Sequence, residues 1–82
     1  MVKEVIRSEN FLNKLKKLDK SYFERVEKLI IKIIRNPEIG KPMRFSRKGT
    51  REVYISPFRL SYTYDEFNDI LYFLDIYHKK KQ

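Results

Sequence analysis

Arg59, Glu52 and the single histidine, His78, are the residues here whose types and spacing suit chemistry. A guanidinium is a planar fork that matches two phosphate oxygens at once, which lysine cannot do. An imidazole, with an ordinary pKa of about 6.5, exchanges protons near neutral pH. In the run from Arg51 to Ile55, Val53 and Ile55 alternate with Glu52 and Tyr54. In the next run Phe58, Leu60, Tyr62 and Tyr64 alternate with Arg59, Ser61 and Thr63. Strand geometry therefore puts Glu52 and Tyr54 on one face, and Arg59 with Ser61 on the less apolar face of the following strand. Arg59 is read either as an anion holder or as the partner of Glu52 in an ion pair that knits two strands. His78 stands where a third run gives way to lysines, as a proton carrier or as an ordinary surface residue.

The chain around these groups has 82 residues, which makes one domain spanning 1–82. Such a chain buries only about 60–65% of its unfolded surface, so its core is thin. It has no cysteine, so neither a disulfide nor a thiolate metal site braces it. The formal charge of +8 attracts polyanions: nucleic acid, an anionic membrane surface or an acidic protein. The plainer reading is a lysine-rich soluble surface. Met1 to Arg7 already carries Lys3, Glu4 and Arg7, so neither a secretory signal nor a membrane span is expected, and the expected location is cytoplasmic.

Met1 to Arg7 reads as a short strand. Ser8 is placed to cap a helix in which Phe11, Leu12, Leu15 and Leu18 recur at helical spacing. Lys14, Lys16, Lys17 and Lys20 form the wet side of that region. Ser21-x-x-Glu24 has the form of a capping box. Behind it Tyr22, Phe23, Val26, Leu29, Ile30, Ile33 and Ile34 make a wide apolar stripe, stopped by Asn36-Pro37. Met43 and Phe45 are expected to add a short strand. Ser56-Pro57 and Asp65 to Asp69 read as the turns between the three β-rich runs. The last run, Ile70 to Ile76, is apolar on both faces up to Asp75, which suggests a covered strand. The order β-α-α-β-β-β predicts an α+β fold: a mostly antiparallel sheet with two N-terminal helices on one face and the other face open.

Lys48-Gly49-x-Arg51-Glu52, Phe58-Arg59-Leu60-x-Tyr62 and the apolar strand ending in His78-Lys79, behind two helices and Gly40-Lys41-Pro42, resemble the RelE/ParE superfamily of small toxins. The RelE/YoeB-like side is favoured. The resemblance implies the same topology and a toxin of a type II toxin–antitoxin system. Its RelE-like members are ribosome-dependent mRNA endonucleases, in which the RNA 2′-hydroxyl attacks the adjacent phosphate. That reaction needs a base, positive charge at phosphorus and an acid for the leaving oxygen, but no metal and no cofactor.

On this resemblance Arg59 holds the phosphate, His78 is the general acid, Lys79 falls near another catalytic position, and Glu52 substitutes as base. Many nuclease members end in a tyrosine where this chain has Lys79-Lys80-Lys81-Gln82, and some YoeB-like members carry a glutamate where this chain has Met43. Lys48, Arg51, Arg47 and Arg44 would grip RNA phosphates, and Tyr54 would stack on a base. The implied partners are the ribosome with its mRNA, and a cognate antitoxin whose acidic, partly disordered segment wraps the basic surface in a hetero-oligomer. The alternatives are a ParE-like gyrase inhibitor without nuclease chemistry and a non-catalytic basic RNA-binding relative.

Overall fold

Ser8 joins the first strand to the first helix. β1 runs Glu4–Arg7 and α1 runs Glu9–Leu15 in the computed structural model, which describes residues 2–78. Ser8 is extended, and its Oγ accepts from the Phe11 amide at 3.0 Å, satisfying a donor that a helix start leaves orphaned. α2 spans Lys20–Arg35. Its cap is Asp19, not the expected Ser21: Asp19 Oδ1 accepts from the Tyr22 amide at 3.0 Å. Aspartate caps as well as serine, and its charge also suits the positive end of the helix. Ser21 and Glu24 therefore lie inside the helix and form no reciprocal box. Asn36 ends α2 before Pro37, as expected.

The sheet has the order β1-β5-β4-β3-β2, with β2 at Lys41–Pro42, β3 at Arg51–Ile55, β4 at Phe58–Asp65 and β5 at Ile70–His78. β1 pairs with β5 in parallel, and every other pairing is antiparallel. The fold is the expected α+β layer. One strand moves: Lys41 and Pro42 pair with Glu52 and Arg51, and Met43 and Phe45 form no strand. Phe45 adopts left-handed backbone at φ 59° and turns the chain into a 3₁₀ turn, Phe45–Arg47. For a residue with a Cβ that conformation costs roughly 1–2 kcal/mol.

Phe11 and Leu15 from α1, with Val26, Ile30 and Ile33 from α2, pack on Ile55, Leu60, Tyr62, Leu71, Phe73 and Ile76. Each fully buried side chain of this size contributes about 1.5–3 kcal/mol. Arg7 fastens β1 to α2 through two hydrogen bonds to Glu27, at 2.9 and 3.0 Å.

β5 contains one residue too many for its partner. Tyr62 pairs with Phe73, but Ser61 pairs with Asp75, so Leu74 is bulged out of register. The Leu74 carbonyl is satisfied from α1: it accepts from Ser8 Oγ at 3.0 Å and from Asn10 Nδ2 at 3.1 Å. Asp75 Oδ1 accepts from the Ile76 amide at 2.8 Å and holds Lys14 Nζ at 2.8 Å. Before the bulge, Leu71 and Phe73 face the helices; after it, Ile76 and His78 do. Asp75 and Tyr77 therefore join the open face.

Tyr62 ties the loop before β2 to the core. Its hydroxyl accepts from the Gly40 amide and donates to the Pro37 carbonyl, each at 2.8 Å. A Cβ on Gly40 would sit 2.6 Å from that oxygen, so the loop approaches too closely for any other residue. Tyr62→Phe loses the hydroxyl and strands the Gly40 amide, which should cost about 1–3 kcal/mol. Gly40→Ala should cost a similar amount through overpacking, about 1–3 kcal/mol. Urea titration of both variants checks this; midpoints equal to wild type would show that other contacts hold the loop.

Candidate functional site

Glu52 is the centre of the open face. It lies on β3 opposite Ser61, and alternation turns it away from the helices. Only 5% of it is exposed, yet it sits under a basic surface. Arg59 Nη1 donates to Oε1 at 3.3 Å, Arg47 Nη1 donates to Oε2 at 3.0 Å, and the Tyr77 hydroxyl donates to the same Oε2 in a short hydrogen bond. Three donors from three segments thus compensate one buried charge, as burial of a carboxylate requires.

Each donor has its own support. Arg59 is on β4, paired with both Tyr54 and Tyr77. Arg47 closes the 3₁₀ turn, where Thr50 Oγ1 donates to the Arg47 carbonyl at 2.7 Å. Arg47 Nη1 also donates to Tyr77 Oη at 2.6 Å, and its guanidinium carbon lies 5.2 Å from the Tyr77 ring centre. Tyr77 arrives on this face because Leu74 is bulged. Burial, reinforced by the hydrogen bond to Glu52, pushes the Tyr77 hydroxyl above its ordinary range, so it is a neutral donor at pH 7. The hydrogen bond with Tyr77, and the nearby charge of Glu52, raise Arg47 further.

Two hollows flank Glu52. One, of about 440 Å³, is bounded by Lys14, Arg47, Thr50, Ser61, Asp75 and Tyr77. The other, of about 260 Å³, is bounded by Lys41, Met43, Tyr54 and Arg59. Phosphate-sized anions fit the chemistry of both rims, which present arginine, lysine and hydroxyl donors.

The expected site residues divide accordingly. Glu52, Arg59, Arg47 and Tyr54 come together on the open face. His78 does not join them: its register partner is Phe58, so it stands on the helix side, edge-on to the Phe58 ring at 5.8 Å. Arg59 and His78, expected to serve one reaction, are set on opposite faces of the sheet by the bulge. Arg51 also faces the helix side, opposite Tyr62, and its Nη1 donates to the carbonyls of Glu38 and Gly40 at 3.1 and 2.8 Å. Arg44 borders a separate hollow of about 420 Å³ beside Phe45. Lys48 is exposed after the 3₁₀ turn. Lys79 lies outside the described residues. Tyr77 was missed by sequence reasoning. The signal was present as a slip in the buried positions, from Leu71 and Phe73 to Ile76. Among the described residues no group of three or more His, Asp or Glu is placed to hold a metal ion, and no helix is long and apolar enough to cross a membrane.

The family described as the ParE toxin of the type II toxin–antitoxin system parDE matches residues 5–82. The toxin–antitoxin complex RelBE2 from Mycobacterium tuberculosis contains a similar chain at TM-score 0.83 and 24% identity, covering 93% of this chain and 96% of that one. The archaeal RelE–RelB complex from Pyrococcus horikoshii gives 0.78 at 14% identity, covering 100% of both chains. YafQ from Escherichia coli gives 0.75 at 21% identity, covering 94% of this chain and 93% of the other. At these identities the likeness is one of fold. No curated protein sequence matches the chain significantly.

Three of the six tyrosines, Tyr62, Tyr64 and Tyr77, should ionise late on alkaline titration. Tyr64 is pushed up to about 12, chiefly by its hydrogen bond to Asp69. Because the folded values lie above that of the unfolded chain, the associated stability is fully present below about pH 10 and is lost as pH rises through the folded values. The phenolate absorbance of these three should therefore rise late, and Tyr77→Phe should remove one late group. A single phase near the ordinary value would contradict the cluster. Glu52→Gln leaves two arginines without their counter-charge and should destabilise the fold by about 1–2 kcal/mol, checked by thermal unfolding.

Proposed function

The chain belongs to the ParE toxin family of the RelE/ParE superfamily of type II toxin–antitoxin systems, and on that premise we propose that it is a ribosome-dependent mRNA endonuclease working on the open face. The observation that supports this most is the convergence of Arg47, Arg59 and Tyr77 on the buried Glu52.

In this reading the scissile phosphate enters beside Arg59 and competes with Glu52 for the guanidinium. The Arg59–Glu52 bond is the longest of the three at 3.3 Å, so it is the one a phosphate displaces. Glu52, released on that side, accepts the proton of the 2′-hydroxyl as its oxygen attacks phosphorus. Arg59 and Arg47 stabilise the added negative charge. The bond to the 5′-oxygen breaks, leaving a 2′,3′-cyclic phosphate, and Tyr77 supplies the proton that the 5′-oxygen needs. Glu52 then returns its proton to Tyr77 along their hydrogen bond, and both groups are restored. Positive side chains supply the charge stabilisation, so the step uses no cofactor.

A second reading is a ParE-like inhibitor of DNA gyrase. Two observations favour it: the matched family, and the placement of His78 away from Arg59. In either reading the partner is an antitoxin whose acidic segment competes with Glu52 for Arg47 and Arg59, since complementary charge speeds encounter and the segment orders on binding.

Primer extension on mRNA in translating ribosomes decides between them. Wild type should cleave; Arg59→Ala should be about 10²–10³-fold slower, and Tyr77→Phe at least about tenfold slower, with folding intact. A loss in His78→Ala as large as in Arg59→Ala would assign the proton donor to the helix-side face instead of Tyr77. Absence of cleavage together with blocked DNA supercoiling would establish the gyrase reading.

A further inference from the structure

A hollow of about 230 Å³ runs between α2 and β3, away from Glu52, bounded by Arg25, Lys28, Leu29, Lys32, Tyr54 and Ile55. The three cations recur at i, i+3 and i+7, so they share one face of α2 and spread over about 10 Å of its axis. All three are exposed, and among the described residues none takes part in an ion pair. Arg25 instead lies 5.3 Å over the Tyr22 ring. This sets the stripe apart from Arg7, Lys14, Arg47 and Arg59, each of which is matched to a carboxylate. Like charges at this spacing destabilise a helix, so the stripe gains from a polyanion laid along it.

Tyr54 joins this hollow to the open face. It is 54% exposed and borders both the α2 hollow and the one that holds Lys41 and Arg59. The edge of the sheet is open here as well. β2 covers only Arg51 and Glu52 of β3, so among the described residues no strand flanks Tyr54 and Ile55 on that side. Among the described residues, the way from Arg59 over Tyr54 to the α2 hollow crosses no strand paired to that edge of β3.

We propose that the α2 hollow binds the phosphodiester backbone of single-stranded RNA, continuing the strand that lies at Arg59, with one base stacked on Tyr54. This rests on the RNA-cleaving reading above and deepens it by giving the strand a path. Cations carry the phosphates, and an aromatic face between two basic hollows suits an unpaired base. An acidic peptide would use the cations but has less need of the tyrosine.

The test is fluorescence anisotropy with a labelled uridine-rich single-stranded RNA and with a labelled poly-glutamate peptide, across a salt series. Wild type, Lys28→Ala/Lys32→Ala, Tyr54→Ala and Arg59→Ala are compared, each checked for folding by circular dichroism. The lysine variant should bind RNA more weakly, and its slope of log affinity against log salt should fall by about 1.4, or about 0.7 per lost phosphate contact. Tyr54→Ala should weaken RNA about tenfold with little change of slope. RNA binding weakened by Arg59→Ala but not by the lysine variant would overturn the groove and leave the RNA reading standing. No RNA binding by wild type would overturn the groove, while primer extension on translating ribosomes would still decide the RNA-cleaving reading. Loss of the peptide alone in the lysine variant would make the hollow a protein-docking site and also overturn the proposal.

Discussion

A single buried carboxylate holds the open face together. The chain carries a formal charge of +8, and two of its arginines approach one another from unrelated segments. Glu52 makes that approach possible by standing between them, 5% exposed and fully hydrogen-bonded. It also orients them, because a guanidinium tied at one nitrogen keeps its remaining donors aimed in a fixed direction. The same carboxylate receives Tyr77, so three strands and a turn report to one atom group. No buried side-chain nitrogen or oxygen lacks a partner among the described residues, which is the condition for such a network to rigidify a thin fold.

The opposite face supplies the support. Tyr62 is wholly buried, and its hydroxyl bridges Gly40 and Pro37, while Arg51 beside it clamps the carbonyls of the same loop. Lys41 follows directly on this loop and pairs with Glu52. The core is thereby connected through one tyrosine to the strand that borders the site.

Much of the fold was legible because hydrophobic spacing is a strong signal. The stripe of α2, the Ser8 cap, the stop at Asn36-Pro37 and the alternation of β3 and β4 all follow from side-chain period and turn chemistry. Two local features were lost to competitors of similar strength: Asp19 outcompeted Ser21 as a cap, and Lys41–Pro42 outpaired Met43 and Phe45. Arg59 and Glu52 were legible as neighbours because pairing across a tight hairpin conserves faces. The bulk of the site was not, because Arg47 reaches it from a 3₁₀ turn that begins at a left-handed phenylalanine, and no composition rule announces that turn. Tyr77 and His78 were exchanged for a simpler reason. Counting by twos fails once a strand contains an unpaired residue.

That bulge makes the strand a parity device. Every side chain after Leu74 takes the face that its neighbour in sequence would otherwise have had. Loss of Leu74 itself would leave Tyr77 opposite Arg59, whereas loss of a residue between the bulge and Tyr77 would bring His78 opposite Arg59 and turn Tyr77 toward the helices. A single insertion or deletion beyond the bulge, not at it, therefore selects between an imidazole and a phenol at the same spot. Members of a fold class can diverge in chemistry by this route without any change that superposition of their backbones would reveal.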